Sequence, residues 1–353
     1  MINRLLCLVL LLFASSCSRS NGTDGTINKP DTTGATFTNP LLNSGADPWV
    51  IFKDGKYYYT NTLGNRIGLI ATTKMSELGK QPMNTIWTPP ASGPYSRELW
   101  APELHYLQGK WYVYFAADDG NNDHHRMYVI ENESADPTKG SWTFKGKVAD
   151  ATDKWAIDGS VFEYNNQLYM IWSGWEGDMN TQQLIYIAAM SNPWTISGAR
   201  VVISTPTYDW EKKGNTPGLP QVNEGPEILM NAAGRVFLTY SASGCWTDDY
   251  ALGLLTLKAG GNPLNAADWQ KGATPVFTKS ESAGAFAPGH NGFFKSIDQK
   301  EDWIIYHANP LSGQGCGGNR SPRMQPFTWK ADGTPDFGTP VHIGMPVKVP
   351  SGE

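Results

Sequence analysis

Three acidic residues share a setting that suits proton transfer: Asp47 stands before Pro48, Asp158 before Gly159, and Glu224 before Gly225-Pro226. Gathered in one place, such groups could divide the work of acid–base catalysis, one carboxyl giving a proton while another, ionised, takes one from water. A lone Asp or Glu before Pro or Gly is also what an ordinary turn prefers. Recurrence argues against that simpler origin. Asp47, Glu103, Asp158 and Glu224 each open a short apolar strand that runs through a polar turn into a second strand. The turns are Asp54-Gly55, Gln108-Gly109, Asn165-Asn166 and residues 231–234. A fifth copy carries His290, a turn at 298–300 and a strand at 302–307.

The intervals between these five residues are 56, 55, 66 and 66, each enough for about four short strands and their turns. A tandem strand–turn–strand phrase of this length is the content of a β-propeller blade. The chain is therefore expected to be all-β, a single five-bladed propeller over residues 37–353, with no helix longer than a turn or so at 75–78 and 266–269. The innermost strand of each blade lines the axis, so Asp47, Glu103, Asp158, Glu224 and His290 are expected around one axial pocket. Residues 37–42 and 341–349 are the candidates for closing the ring. Phe52, Tyr58 and Trp111 alternate within strands and belong to the core.

The stretches around ADPWV (Asp47), IDGSVF (Asp158), NEGPE (Glu224) and PGHNGFF (His290) resemble the signatures of glycoside hydrolase family 43, from about Asn39 to the C-terminus. The resemblance implies an inverting glycosidase with Asp47 as general base, Glu224 as general acid and Asp158 as the residue that orients Glu224 and tunes its pKa. Inversion needs base and acid about 6.5–9.5 Å apart, room for a water. The segments Ser241–Leu255 and Gly315–Phe327 look most like α-L-arabinofuranosidases, which implies release of L-arabinose from arabinan or arabinoxylan. Endo-arabinanase and β-xylosidase are the enzymatic alternatives, and a non-catalytic glycan-binding propeller is the alternative of another class. In the resembling family the His at position 290 reaches a central metal, commonly calcium, directly or through water; a hydrogen-bonded buried His is the other reading. No cofactor is required on this view.

Around the pocket, Trp100, Glu103, Trp175 and Arg320 are candidate substrate contacts. Either Trp could stack on a sugar ring or serve the core, and Arg320 could bind sugar hydroxyls or pair with a pocket carboxylate. His124 and His125 are adjacent, so their side chains diverge, and both are expected in solvent.

Of 353 residues, 40% are hydrophobic and 17% charged, and the net charge is −5 without a basic run. That balance speaks against nucleic acid or an anionic membrane surface as partner. Residues 1–17 read as an export signal whose apolar run is too short to span a bilayer. Ala14-Ser15-Ser16-Cys17 resembles a lipoprotein box, which would place the protein in the periplasm or on the cell surface, anchored through a lipid on Cys17; a plain cleaved signal is the alternative. Residues 18–36 read as a flexible tether, and no module is expected after Glu353. A monomer is expected. Cys245 and Cys316 fall past the second strands of neighbouring repeats, where a disulfide or two buried thiols would both fit.

Overall fold

The computed structural model describes residues 34–353; the expected export signal, the expected lipoprotein box and most of the expected tether lie outside those residues. The expected hairpins form. At Asp54-Gly55, Gln108-Gly109 and Asn165-Asn166 both turn residues have positive φ, the type I′ geometry whose twist matches that of paired strands. Each hairpin is then extended into a four-stranded antiparallel blade. The innermost strands are Trp49–Lys53, Arg97–Leu107, Ala156–Tyr164, Gln221–Met230 and Phe286–Lys295. Blades 3 and 4 are also joined by a two-residue parallel pairing, Gln182 and Gln183 with Gln221 and Val222. The helical turns are short 3-10 pieces, among them Met75–Lys80 and Ala266–Asp268.

Alternation along the strands explains why these blades stack into a ring. Tyr57 and Tyr59 bury against Phe294, Trp303 and Ile305 of blade 5, while Tyr58 between them buries against Trp111 and Val113 of blade 2. Both faces of a blade are thus covered, which is why its strands are apolar throughout. Five apolar clusters result, one in each gap between neighbouring blades, including the gap from blade 5 back to blade 1. The ring is closed. Phe52 is only partly buried against the blade 5–blade 1 cluster, whereas Tyr58 and Trp111 are fully in the core.

The termini close the ring in a way of their own. Thr36–Thr38 pairs with Pro346–Lys348 as a separate two-stranded ribbon, outside any blade. Phe37 and Val347 from the ribbon enter the blade 5–blade 1 core. Asn39 then fastens blade 5, its Nδ2 donating to Met324 O and its Oδ1 accepting from Met324 N–H. The propeller therefore starts at Thr36, one residue inside the expected tether.

Cys245 and Cys316 form a disulfide, 71 residues apart, linking the loops that leave the second strands of blades 4 and 5. Closing a loop of that length in the unfolded chain contributes about 4 kcal/mol in the chain-entropy account. Replacing both cysteines by serine is expected to lower the melting temperature by roughly 10 °C in a calorimetric scan. An unchanged melting temperature would mean that the bond carries no stability.

Candidate active site

The innermost strands do more than line the axis; four of them break register at one level. Pairing skips between Trp100 and Glu103, Ile157 and Ser160, Glu224 and Glu227, and Gly289 and Gly292. Each bulge contains a residue in the left-handed region: Ala101, Asp158, Gly225 and His290, and Asp47 has the same conformation just before its strand. This corrects the alignment by residue type. Asp47, Asp158 and His290 are true equivalents, but blades 2 and 4 place Ala101 and Gly225 there. Glu224 comes one residue earlier and Glu103 two later. A bulge re-aims the side chains around it, and here it turns them toward the axis.

Asp47, Asp158, Glu224 and His290 line one cavity of about 510 Å³, with Arg320, Trp100, Trp155, Glu98 and Trp246 on its walls. Glu103 is not on those walls. It is buried on the strand below, 2.9 Å from His105 Nε2, and contributes to the strong upward shift of the buried Glu227, which burial drives first. Trp175 is not a wall either: it is buried and stacks in parallel behind Trp155 at 4.8 Å. The pair brings Trp155, the residue that pattern reading missed, to the cavity. His124 is exposed and paired with Asp119, as expected, but His125 is fully buried against Asp118. Adjacent side chains diverge, and in this strand entry the divergence sends one outward and one inward.

Asp47 is held ionised. Burial alone would raise its pKa, but His290 at 3.3 Å, Arg320 at 3.3 Å and a 2.6 Å hydrogen bond from Thr62 Oγ1 outweigh it and hold the carboxyl well below its usual range. Its backbone N–H donates to His307 Nδ1 at 3.0 Å. That bond requires the proton on Nε2, and burial keeps the ring neutral. Thr62 accepts in turn from Ala101 N–H at 2.7 Å, so one hydroxyl ties Asp47 of blade 1 to the bulge of blade 2.

Asp158 and Glu224 are pushed the other way. Burial raises Asp158 to about 7, with Glu224 and Asp47 adding repulsion against the opposing pull of His290. Burial also raises Glu224, reinforced by Asp47 and opposed by His290, by a hydrogen bond from Tyr250 and by Arg320. Tyr250 Oη donates to Glu224 Oε1 at 2.8 Å, and its ring stacks on His307, which holds Asp47. Asp158 Oδ2 accepts from Gly225 N–H at 2.9 Å, fixing the peptide that follows Glu224. Glycine is required here twice over. Gly225 has φ +54 with the His290 ring 3.2 Å from where a Cβ would sit, and a Cβ on Gly289 would overlap the Tyr250 ring.

His290 is buried, and burial favours its neutral form. Asp47, Asp158, Glu224 and Glu103 prevail and raise its pKa. Calcium takes six to eight oxygen ligands, and an imidazole supplies none. Among the described residues no three His, Cys, Asp or Glu side chains are grouped to hold a metal. A directly ligated calcium at His290 does not fit this donor set.

Opposed protonation demands inside one sugar-sized hollow are what acid–base cleavage of an acetal asks for, and the chain is a glycosidase on a five-bladed propeller. Comparison with known proteins narrows the class. Residues 37–335 match the family described as glycosyl hydrolases family 43. The chain is similar to an extracellular exo-α-(1→5)-L-arabinofuranosidase of Streptomyces avermitilis, 43% identical over 94% of this chain and 69% of that protein. It is also similar to α-L-arabinofuranosidase 43 of Humicola insolens, 38% identical over 89% of this chain and 66% of that protein. It thus spans about two thirds of each relative. The solved α-L-arabinofuranosidase of Lactobacillus brevis superposes with a TM-score of 0.81 at 38% identity, covering 87% of this chain and 98% of that one. The chain belongs to glycoside hydrolase family 43.

Proposed function

We propose that this protein is an exported α-L-arabinofuranosidase that releases L-arabinose from arabinan- or arabinoxylan-type polysaccharide with inversion at the anomeric carbon. The observation that carries the reading is one cavity in which Asp47 lies 3.3 Å from both His290 and Arg320 while Glu224 is buried away from any cation contact, which pushes the first carboxyl down and the second up. The names of its relatives support the substrate and the export. Asp47 takes a proton from water as the water oxygen bonds to the anomeric carbon. Glu224 gives its proton to the departing glycosidic oxygen. Asp158 does no bond-making; it holds the Gly225 peptide and places a second carboxyl within electrostatic reach of Glu224. Arg320 and His290 keep Asp47 charged until the water's proton arrives. Two readings test this together: chromatography of products from linear arabinan, arabinoxylan and xylo-oligosaccharides, and the anomeric proton signal of the first-formed sugar. Xylose as the main product, or retained configuration, would overturn it.

The pH profile gives a separate check on Asp158. Glu224 works in its protonated form, so activity is lost as pH rises through its raised pKa. Asp158→Asn removes a negative neighbour, lowers the Glu224 pKa and moves the alkaline limb of kcat to lower pH. An alkaline limb that stays in place, with unchanged rate, would remove Asp158 from the mechanism.

A further inference from the structure

The buried pair His125–Asp118 has no part in the proton transfers above. His125 Nδ1 lies 3.1 Å from Asp118 Oδ2, and Nε2 lies 3.1 Å from Glu98 O. A carbonyl can only accept, so Nε2 donates to it; Nδ1, which also lies 3.3 Å from Asn122 O, faces acceptors too, so its contact with Asp118 holds a second proton, on the ring or on the carboxyl. One face of that ring stacks on Trp100 at 4.0 Å, and Trp155 meets its edge region at 6.2 Å. The same loop supplies Asn122 O, which accepts from Trp155 Nε1 at 2.7 Å. Glu98, Trp100, Asn122 and Trp155 all line the catalytic cavity.

The backbone under Trp100 needs such support. Glu98 and Ala101, on either side of it, are non-glycine residues with φ of +48 and +42. Conformations of this kind persist only where surrounding contacts impose them. Ala101 is fixed by Thr62, Leu99 by reciprocal bonds with Gly64, and Glu98 by His125. Trp100 Nε1 in turn donates to Glu98 Oε2 at 3.1 Å. Removing His125 frees the Glu98 carbonyl and the back of the Trp100 ring together.

We propose that His125, braced by Asp118, is a positioning residue that sets the Glu98–Trp100 wall and Trp155 in place, and so governs how tightly the cavity holds its sugar. The inference rests on the function proposed above. A rigid indole face on the wall binds the CH face of a sugar before and during bond cleavage alike, so its loss shows in KM more than in kcat.

The test is steady-state kinetics on 4-nitrophenyl α-L-arabinofuranoside for the wild type, H125A, W100A and the double variant. H125A is expected to raise KM about tenfold, the size of a lost aromatic contact, with kcat within roughly threefold. H125A added to W100A is expected to change KM by less than about twofold, because both act through one wall. D118N, which keeps the shape of the brace, gives a smaller rise in the same direction and stands in if H125A does not fold. An unmoved KM in H125A or D118N, or KM effects that multiply in the double variant, would overturn the inference. Failure of the wild type to release arabinose would instead remove the proposed function.

Discussion

Asp47→Asn is expected to lower kcat on 4-nitrophenyl α-L-arabinofuranoside by about 10²- to 10⁴-fold, the range for loss of a positioned general base, with KM little changed. The substitution is close to isosteric, and Asn is among the few residues that accept a left-handed backbone, so the φ of +58 at this position need not relax. What changes is charge. His290 and Arg320 lose the carboxylate that both approach at 3.3 Å, and the other two carboxyls beside it, Asp158 and Glu224, are pushed toward the protonated form. Water then has no acceptor for its proton. The depressed pKa carries a second consequence. Asp47 is active as the carboxylate, so its contribution is lost only when pH falls through a value well below the ordinary range. Any acid-side loss of activity near neutral pH therefore belongs to another group. Residual turnover within about tenfold of wild type would show that Asp47 is not the base.

The repeat was legible because it is written in backbone chemistry. Asp54-Gly55, Gln108-Gly109 and Asn165-Asn166 between apolar runs specify tight hairpins, and with the turns at 231–234 and 298–300 they make five hairpins at near-constant spacing, which specify blades. The apolar character of both strand faces is explained by the five inter-blade clusters. Asp47, Asp158, Glu224 and His290 are legible together because each stands at the start of a repeat, where Asp158, Glu224 and His290 meet a bulge and Asp47 has the same left-handed backbone before its strand. Glu103 was misplaced for the same reason: residue type marked it, whereas the bulge in its strand falls on Ala101 and sends Glu103 below the cavity. Trp175 and Trp155 show a related limit, since either of two stacked indoles could have been the outer one. Thr62, His307 and Tyr250 carry no motif at all. Their importance comes from contacts with residues 15, 260 and 26 positions away; the first and last form within one blade, and the His307 contact with Asp47 needs the closed ring. His125 could have been suspected from alternation, because adjacent side chains that diverge at a strand entry put one toward the core.

Glu224→Gln is expected to divide substrates by their leaving groups. On arabino-oligosaccharides, whose departing alkoxide is strongly basic, kcat falls by about 10³- to 10⁴-fold, because no proton arrives as the bond breaks. On the 4-nitrophenyl glycoside the leaving phenolate is stable without a proton, and the loss shrinks to roughly 10- to 100-fold. The water and Asp47 are untouched in both reactions, so the ratio of the two losses isolates proton donation. Fold damage cannot produce that ratio, since it would depress both substrates alike. The amide also retains an oxygen to accept the Tyr250 hydrogen bond, which keeps the side chain where Glu224 stood. The alkaline limb set by Glu224 should disappear from the oligosaccharide profile of the variant, since a group that cannot titrate cannot lose its proton. Equal losses on both substrates would place the proton donor elsewhere, and Asp158, itself raised to about 7 and directly bonded to the Gly225 peptide, would be the residue to test next.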